Sequence, residues 1–522
     1  MTLLATGTGW GSRPRAALAT LSLVLFLTFL DNTIVSVVLA DVQKDLHAGV
    51  GGLQWVVNGY ALAFASLMLT FGTLGDLFGR KRIMVGGVAV FCVGSVMAAL
   101  APDVHVLVAG RVLMGVGAAA SEPGTLSMIR HLYPDARLRA RALGVWAAVS
   151  GLALALGPVI GGALAGLWSW RAVFWFNVFF GLVALAAAVV VLPEHADPQR
   201  QRLDIPGFFL GAGALAAASS AVISGETAGY SAWWIEALFA VSVAALAGFI
   251  AWERHAANPV LDLRVFRRRS FSGSNVVAFC TYFSTFAIFF FVALYLQEVG
   301  TSSSYATALD FVPMASGLVL AALVSGRWVA RVGPRLPMFL GCGLAGTGVL
   351  LTDLRLTPAS GLGDIGWTLA MAGVGFGLAV VPVTSSALSA VSPAHSGMAA
   401  SMTNTSREMG AVAGVAVLGS IVNGQLTVGL VHRLTALGIP KAFQGLVVTA
   451  VTTGTFNQQA AAAAGGSKSL ALLIERIVVS AYSAFAHALD IALMIATALM
   501  FFSALVALFT MSSSPTRDEA MA

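Results

Sequence analysis

The recurrence of long apolar segments constrains this chain more than any other sequence feature. About 17 to 25 apolar residues suffice for a helix to cross the hydrocarbon core of a membrane, and fourteen such segments follow one another in 522 residues. Only 10% of the residues are charged, whereas about 25% is typical of soluble domains. The sequence therefore predicts an all-α membrane protein. The predicted spans lie near 16–40, 52–73, 83–100, 104–128, 142–165, 171–192, 206–224, 234–252, 272–296, 305–326, 336–352, 366–390, 402–424 and 484–511.

The spans form groups of six, two and six, which suggests a division of the chain. We predict a six-helix N-terminal half, two inserted helices with cytoplasmic linkers, a six-helix C-terminal half and a cytoplasmic tail, over 1–192, 193–270, 271–511 and 512–522. The Ala, Gly, Thr and Gln-rich segment 425–470 is predicted to be a mobile external loop without chemistry, because Pro440 and the pair Gly465 and Gly466 interrupt any long helix.

Basic residues concentrate on one side of the predicted membrane. Connections that follow even-numbered spans hold clusters such as Arg80, Lys81 and Arg82, whereas short connections on the other side offer only Lys44, Arg171 and Arg355. Short cytoplasmic loops attract Lys and Arg, so both termini are predicted to be cytoplasmic. The formal net charge of +6 then follows from topology, and no nucleic-acid partner is expected.

One predicted span, the fourth, contains two charged residues, Arg111 and Glu122. Each costs about 2.5 to 3.5 kcal/mol on insertion scales. Eleven positions are close to three helical turns, so both side chains face the same way, yet they lie ~16 Å apart along the axis. They cannot pair with each other, and Gly115 and Gly117 between them permit a close helix neighbour. This pattern predicts a polar path through the membrane.

No sequence feature indicates a metal, a disulfide or a bound cofactor. Cys92, Cys280 and Cys342 all fall inside apolar spans, where cysteine is typical of a small buried hydrophobe. A G-x4-G-K-[S/T] phosphate loop is absent from the sequence. We therefore expect no cofactor and no catalytic constellation, and we expect the membrane gradient to supply any energy.

Two stretches in corresponding loops resemble each other. Gly72-Thr-Leu-Gly-Asp-Leu-Phe-Gly79-Arg-Lys81 follows the second span, and Gly326-Arg-Trp-Val-Ala-Arg-Val-Gly333-Pro-Arg335 follows the second span of the last six. Met114-Gly-Val-Gly117 is likewise echoed by Ala372-Gly-Val-Gly375. Two repeated six-helix halves explain both matches, and such halves bind substrate between them near the bilayer midplane. Chance matches among 56 glycines are the alternative.

Several motifs in order resemble the major facilitator superfamily, specifically its fourteen-helix drug:proton antiporter branch. The residues that carry the resemblance are Leu30-Asp31-Asn-Thr-Ile-Val35, Gln54-Trp55-Val-Val-Asn-Gly-Tyr60, the loop from Gly72 to Arg82, Arg111 with Gly115, Gly151-x5-Gly157-Pro158-x2-Gly161-Gly162, and Trp168-Ser-Trp170-Arg171 with Asn177. The resemblance implies a monomeric transporter that exports amphipathic drugs or antibiotics in exchange for protons, by alternating access. The bias of the chain towards Ala, Gly and Arg suggests that it comes from a GC-rich bacterium, and we therefore expect it in the bacterial plasma membrane.

The resemblance also implies two sets of conformational-switch residues. The loop set is Gly72, Asp76, Gly79 and Arg80, in which Asp76 latches the loop against neighbouring helix ends in one access state. The other set, Gly157, Pro158, Gly161 and Gly162, bends the fifth span and lets another helix approach closely. A solvated turn with topogenic charges, and the general frequency of Gly and Pro in membrane helices, are the alternatives.

Four ionisable residues are candidates for proton coupling: Asp31, Arg111, Glu122 and Glu408. Asp31 and Arg111 lie at similar depths in spans of the same half, so we expect them to interact and Asp31 to titrate, with a fixed structural ion pair as the alternative. Glu122 replaces the small residue usual in this branch, which suggests a cationic substrate or a second proton site. Glu408 is preferred over Arg407 because neighbours ~100° apart on a helix are not expected to share one face.

Six residues are candidates for a substrate cavity: Asn32, Trp55, Asn58, Tyr282, Phe286 and Asp310. Aromatic rings suit a broad apolar drug site, and acidic residues attract cations. Lipid-facing or packed phenylalanines, and a hydrated Asp310 near the external surface, are the alternatives. Other functions also stay open: a narrow-specificity natural-product or lipid exporter, a proton-coupled importer, and a non-transporting membrane sensor.

Overall fold

A computed structural model describes most of the chain, and helix is the regular structure in every part described. The described residues are 12–35, 38–46, 48, 50–194, 204–256, 261–299, 304–392, 395–436, 444 and 468–513. The N-terminal helices are α1 (Ser12–Ile34), α2 (Leu39–Leu46), α3 (Val50–Phe78), α4 (Arg80–Ala99), α5 (Val104–Leu132), α6 (Ala136–Leu167) and α7 (Arg171–Val191). They are followed by α8 (Ile205–Ala228), α9 (Trp233–Glu253), a 3₁₀ turn (Leu263–Arg267), α10 (Arg269–Glu298), α11 (Ser304–Val332), α12 (Arg335–Arg355), α13 (Leu362–Ser389), α14 (Ser396–Ala436) and α15 (Lys468–Thr510).

Each helix except the short α2 overlaps one predicted span. Eleven helices of the described chain are long and apolar enough to cross a membrane, and α6 is a twelfth if its two parts are counted as one span. Helices α3 and α8 contain shorter apolar stretches, Trp55–Met68 and Pro206–Val222. The chain is therefore an all-helical membrane protein. Helix α2 was not predicted, since the first span was extended to residue 40 whereas α1 ends at Ile34.

The repeated glycines of α5 and α13 occupy equivalent packing positions, as two repeated halves would require. A Cβ added at Gly115 would meet the backbone of α3 at Tyr60, and one at Gly117 would meet α4 near Phe91. In the same way, Gly373 packs on the backbone of α11 and Gly375 on that of α12. Small residues at these points let membrane helices approach to backbone contact.

The two loop glycines predicted to correspond also share a backbone conformation. Gly79 lies between α3 and α4 with φ 105°, and Gly333 lies between α11 and α12 with φ 81°. Both values are in the left-handed region that glycine adopts without a Cβ penalty. The same turn therefore joins equivalent helices in the two halves.

Helices of the first half meet helices of the last half along two seams. One seam joins α6 to α11, where Gly144 faces the carbonyl oxygen of Ala322 and Gly326 faces that of Ala140. The other joins α3 to α14. The inserted helix α8 packs on both α3 and α14, and α9 packs on α8. The inserted pair therefore lies along the second seam.

The predicted external loop 425–470 is partly helical. Helix α14 continues to Ala436, because Leu426, Leu430 and Leu434 continue its apolar stripe and are buried. Helix α15 already begins at Lys468. The remainder, including Pro440, Gly465 and Gly466, lies outside the described residues except for position 444.

Candidate functional site

A buried ion pair links the first and fifth helices, as predicted from the depth of its two residues. The Arg111 guanidinium donates from Nη1 to Oδ2 of Asp31, and its Nε donates to the carbonyl oxygen of Val56 at 2.8 Å. Asn177 of α7 donates from Nδ2 to the other carboxylate oxygen of Asp31 at 2.7 Å. We call Asp31, Arg111 and Asn177 the first cluster.

The first cluster is buried and held from several sides. Asp31 and Arg111 are 0% and 1% exposed, and a buried ion pair is tolerated when further hydrogen bonds satisfy its remaining donors and acceptors. The Arg111 guanidinium also lies 4.6 Å from the ring centroid of Tyr60 on α3. Tyr60 in turn donates its hydroxyl to the carbonyl oxygen of Thr28 at 3.0 Å. Four helices of one half, α1, α3, α5 and α7, thus fix the geometry of this pair.

A second buried cluster joins the two halves. Glu122 of α5 and Arg407 and Glu408 of α14 are 1%, 2% and 5% exposed, and Glu122 lies close enough to interact electrostatically with both others. Arg407 donates from Nη1 to Oδ1 of Asn404 at 3.0 Å and from Nη2 to the hydroxyl of Thr384 on α13. We call Glu122, Arg407 and Glu408 the second cluster.

Arg407 and Glu408 are both buried, and which of these neighbours faces a polar cavity stays a prediction, with Glu408 preferred. Two physical reasons explain how both side chains can be buried. Neighbouring helices contact α14 on several sides, and the long arginine side chain carries its charge several bonds away from the helix axis. An arginine next to a glutamate inside an apolar span was the available sequence signal.

The Arg407 guanidinium lies between aromatic rings of opposite halves. It is 5.3 Å from the ring centroid of Trp146 on α6 and 5.5 Å from that of Tyr282 on α10. Trp146 is fixed from the other side, since its Nε1 donates to the hydroxyl of Thr125 on α5 at 3.0 Å. Cation–π contacts of this kind are strongest where water is excluded. Arg407 therefore connects the halves through contacts that the sequence reasoning missed.

Tyr60 lies within electrostatic reach of both clusters, because it interacts with Asp31 and Arg111 as well as with Glu122 and Glu408. One oxygen of the second cluster stands out. Glu122 Oε2 is buried and has no hydrogen-bond partner among the described residues. Unsatisfied buried polar atoms are uncommon and require an explanation.

The predicted cavity residues separate into two groups. Tyr282 and Phe286 stack with ring centroids 6.2 Å apart, and Tyr282 also contacts Arg407 of the second cluster. Trp55 is 44% exposed. Asp310 is buried on α11 and accepts a hydrogen bond from the backbone of Leu362, a contact that belongs to the start of α13.

Two further residues were predicted to line the cavity, Asn32 and Asn58. Asn32 is half-buried, next to Asp31 on α1. The Asn58 side chain lies outside the described residues. Of the predicted cavity residues whose side chains are described, the structure brings Tyr282 and, stacked on it, Phe286 to the second cluster.

The predicted switch loop packs closely against its neighbours. A Cβ added to Gly79 would collide with the Glu194 carboxylate, and Gly72 is buried. Arg80, predicted to lie on the cytoplasmic face, is buried and places Nη1 2.7 Å from Nδ1 of His131 at the end of α5. Gly124 of α5 faces Met84 and the carbonyl oxygen of Arg80, so the start of α4 lies against the end of α5. The Asp76 side chain lies outside the described residues.

The predicted bend in α6 is present, with its close contact at a different glycine. The helix bends by 42° between Leu154 and Val159. Gly157 packs on Thr33 of α1, whose hydroxyl donates to the carbonyl oxygen of Leu154 at 3.1 Å. A Cβ at Gly162 would meet nothing within 4 Å, so the predicted close approach there is wrong.

The reason is helix geometry, because neighbouring residues point about 100° apart around the helix, so Gly161 and Gly162 do not share one face. Gly161 is buried, whereas Gly162 is exposed. The Pro158 side chain lies outside the described residues.

Two arginines cap the end of α13, one of them, Arg130, from the opposite half. Arg130, in the last turn of α5, donates to the carbonyl oxygens of Leu388 and, at 2.8 Å, Val391. Arg268, just before α10, donates to the carbonyl oxygen of Ala390 at 2.7 Å. The last carbonyl groups of a helix lack partners within the helix, so these guanidinium groups cap α13 from outside. The predictions had used both arginines only for topology.

Comparisons with known proteins agree with this architecture. A family model described as Major Facilitator Superfamily matches residues 21–415. The chain is 31% identical over 460 residues to Multidrug resistance protein Stp of Mycobacterium tuberculosis, covering 88% of this chain and 82% of that protein. It is 30% identical to Drug efflux pump JefA of the same species, with 92% and 95% covered. It is also 30% identical to the Tetracenomycin C resistance and export protein of Streptomyces glaucescens, with 97% and 93% covered.

Solved structures share the fold at low sequence identity. The human organic anion transporter MFSD10 superposes with a TM-score of 0.63 at 13% identity, covering 95% of this chain and 100% of that chain. A bacterial homologue of the human lysosomal transporter Spinster, solved in an inward-facing conformation, gives 0.57 at 18% identity, with 97% and 100% covered.

Proposed function

The chain belongs to the Major Facilitator Superfamily, and from this premise we propose that it exports amphipathic drugs or antibiotics across the bacterial plasma membrane in exchange for protons. Its relatives are named for multidrug resistance, drug efflux and the export of tetracenomycin C. The proposal includes fourteen spans, with α3 and α8 crossing in addition to the helices that meet the apolarity criterion, and both termini in the cytoplasm. It also includes transport by a monomer.

The observation that carries proton coupling is the first cluster. Asp31 is a carboxylate inside the membrane, and its two oxygens accept from Arg111 and Asn177. A proton added to Asp31 would leave the buried Arg111 charge without its counter-charge, and an uncompensated charge in a dry site is strongly unfavourable. Protonation at Asp31 therefore favours rearrangement of α1 against α5. The inward-facing and outward-facing states would differ in how well they accept that change.

The closing contact of Arg130 supports an outward-facing or occluded state for this structure. Arg130 lies on the side predicted to be cytoplasmic and joins α5 of the first half to the end of α13 in the last half. Opening towards the cytoplasm would break these hydrogen bonds and separate Gly144 and Gly326 from the backbone of the opposite half. We propose that the loop with Gly72, Asp76, Gly79 and Arg80 controls the same equilibrium.

A narrow-specificity exporter is the second candidate. Several relatives are named for resistance to a single antibiotic, among them methylenomycin A and puromycin. The test therefore needs a panel that includes such compounds as well as lipophilic cations. An importer would move the same compounds in the opposite direction relative to the proton gradient, and a sensor would bind without moving protons.

Proteoliposomes with an imposed pH gradient test the proposal. We expect a transported compound to trigger proton movement with the wild-type protein, and we expect Asp31→Asn to abolish it. Asp490→Asn is the matched control, because Asp490 is an exposed carboxylate on α15, at the periphery. Unchanged proton movement in Asp31→Asn would overturn coupling at this residue. Binding without any proton movement in the wild type would overturn the antiporter and favour the sensor.

A further inference from the structure

Both carboxylate oxygens of Asp31 already face hydrogen-bond donors. Arg111 donates to Oδ2, and Asn177 donates from Nδ2 to Oδ1 at 2.7 Å. All three side chains are buried. A proton that arrives at Asp31 therefore meets an N–H group at either oxygen, and two donors that point at each other form no hydrogen bond. One of the two neighbours has to change before a protonated Asp31 can be accommodated.

Arg111 is the less adaptable of the two neighbours. A guanidinium group has donors only, and it is not deprotonated in proteins. Besides its contact with Asp31, Arg111 donates from Nε to the carbonyl oxygen of Val56 at 2.8 Å, and its guanidinium lies 4.6 Å from the ring centroid of Tyr60. The proton is therefore directed to Oδ1 of Asp31, the oxygen that faces Asn177.

Asn177 has an acceptor as well as a donor, and its acceptor is unused. Its Oδ1 is buried and has no hydrogen-bond partner among the described residues, which is uncommon and requires an explanation. The terminal torsion of asparagine is broad and roughly two-fold, so half a turn of the amide exchanges Nδ2 and Oδ1 while the rest of the side chain stays in place. The turned amide presents the acceptor that a protonated Asp31 needs.

Helix packing holds the amide at Asp31 in both orientations. Gly181 lies one turn after Asn177 on α7, and a Cβ there would meet Cys92 of α4 and Leu27 of α1. Leu27 in turn lies one turn before Asp31. The glycine therefore lets α7 come close to α1 next to the first cluster.

Charged and titratable groups reach Asp31 from two other helices of the described chain. Arg111 comes from α5 and Tyr60 from α3, and the Tyr60 hydroxyl already donates to the carbonyl oxygen of Thr28. Helices α6 and α7 also pack against α1, and α7 presents the neutral amide of Asn177. Of these neighbours, Asn177 is the one that can offer a hydrogen bond to either form of the carboxyl group.

We propose that Asn177 is a positioning residue for proton coupling, and that its amide turns when Asp31 takes up a proton. With Asp31 ionised, Nδ2 of Asn177 donates to Oδ1 of the carboxylate, as in this structure. A proton from the aqueous phase to which the cluster opens then binds Oδ1 of Asp31, and the new O–H group donates to Oδ1 of the turned amide. That O–H bond breaks when the proton leaves on the other side of the membrane, and the amide turns back. The inference deepens the proposed function and rests on the titration of Asp31.

Infrared difference spectroscopy between alkaline and acidic buffer tests the proposal on the purified full chain in detergent. A protonated carboxyl group has a C=O band of its own, and the band of Asp31 is the one that Asp31→Asn removes. In the wild type, we expect a change in an amide C=O band to accompany it, and both Asn177→Leu and Asp31→Asn should remove that change. In Asn177→Leu, the Asp31 band should move to higher wavenumber, because its O–H group has lost the acceptor.

Asn275→Leu is the matched control. Asn275 is a buried asparagine of α10 that uses both ends of its amide, since Nδ2 donates to the carbonyl oxygen of Phe271 at 2.9 Å and Oδ1 accepts from the Ser406 hydroxyl at 3.1 Å. The control should show the Asp31 band and the amide change of the wild type. Asn177→Ser replaces the leucine variant if that variant does not fold, and an amide change that persists in Asn177→Ser would contradict the proposal.

Transport separates this inference from the proposed function. In proteoliposomes, Asn177→Leu should slow proton-coupled transport by roughly tenfold or more, the factor that about 1.4 kcal/mol produces. An Asp31 band that keeps its wild-type position in Asn177→Leu would overturn the role of Asn177 and leave coupling at Asp31 standing. If acidification produces no carboxyl band that Asp31→Asn removes, both are overturned. A wild type that shows both infrared changes but exports nothing would overturn only the function.

Discussion

Helices α5 and α13 are equivalent in packing but different in charge. Gly115 and Gly117 of α5 match Gly373 and Gly375 of α13, and both pairs contact helix backbones in the same manner. At the same distance before the first glycine, α5 has Arg111 whereas α13 has Leu369. The repeat therefore preserves the close approach of helices in both halves. It does not preserve charge, because α13 has an apolar residue at the position of Arg111.

The two halves also contribute differently at the closing contacts. At the positions that follow the glycines, α5 has Glu122 and Arg130 where α13 has Val380 and Leu388. Arg130 donates to the carbonyl oxygen of Leu388, which is its own counterpart. The approximate symmetry of the two halves thus places a charged side chain of the first half against a backbone carbonyl group of the second. The difference suggests that the first half holds the proton chemistry while the second half supplies the surface that closes against it.

The largest expected effect comes from making α5 resemble α13 at the ion pair. Arg111→Leu leaves Asp31 buried without its counter-charge, which should destabilise the protein by about 3 to 5 kcal/mol and abolish transport. The double variant Asp31→Asn with Arg111→Leu removes both charges, so it should regain most of the stability but none of the coupling. Thermal unfolding and proton-coupled transport are measured on the same preparations. Proton-coupled transport by the double variant would show that coupling does not require the ion pair that distinguishes the first half from the second.

The closing contact is expected to have the next largest effect. Arg130→Gln removes a charged donor from the end of α13, and hydrogen bonds to charged groups contribute about 1.5 to 3 kcal/mol each. The equilibrium between access states should shift roughly tenfold towards the cytoplasm-open state, and unchanged labelling would contradict a closing role for Arg130. Labelling of a cysteine introduced on the cavity-facing side of α13 measures this shift. Arg137→Gln, an exposed arginine at the start of α6, is the control and should leave labelling unchanged.

Substitution of the matched glycines should affect both halves alike. Gly117→Ala and Gly375→Ala each place a methyl group against backbone atoms of the adjacent helix, and such overpacking costs about 1 to 3 kcal/mol. Gly343→Ala is the control, because a Cβ there meets nothing within 4 Å, and a helical alanine should stabilise by about 0.5 to 1 kcal/mol. If Gly117→Ala and Gly375→Ala lower the thermal unfolding temperature by clearly different amounts, the two positions are not equivalent in packing.

The sequence was sufficient for the features that the membrane itself imposes. Spanning segments must satisfy their backbone groups internally, so apolar length alone placed the long helices near their observed positions. The contact of Asp31 with Arg111 followed because two buried charges at similar depth need each other. Both arguments use only distance along the chain and the cost of burial.

Features that depend on which helices meet could not be predicted in this way. The hydrogen bond from Asn177 and the cross-half contacts of Arg407 require the packing of three or more helices. The open space at Gly162 is a further example, because which face of α6 meets another helix depends on tertiary packing. Local sequence indicates that α6 bends near Gly157, but it does not show that Thr33 of α1 packs there and donates to the carbonyl oxygen of Leu154.

The smallest expected effect concerns Trp146, which joins the first half to Arg407 of the second. Trp146→Phe keeps an aromatic face near the guanidinium but loses the 3.0 Å hydrogen bond from Nε1 to Thr125, worth about 0.5 to 1.5 kcal/mol. The free energy of unfolding should fall by that small amount, while transport persists. Trp146→Leu removes the ring as well, so it should also lose the cation–π contact with Arg407 and unfold at a lower temperature than Trp146→Phe. Equal losses in both variants would show that the ring contributes nothing beyond its hydrogen bond to Thr125 within the first half, and the connection between the halves at Arg407 would then not depend on Trp146.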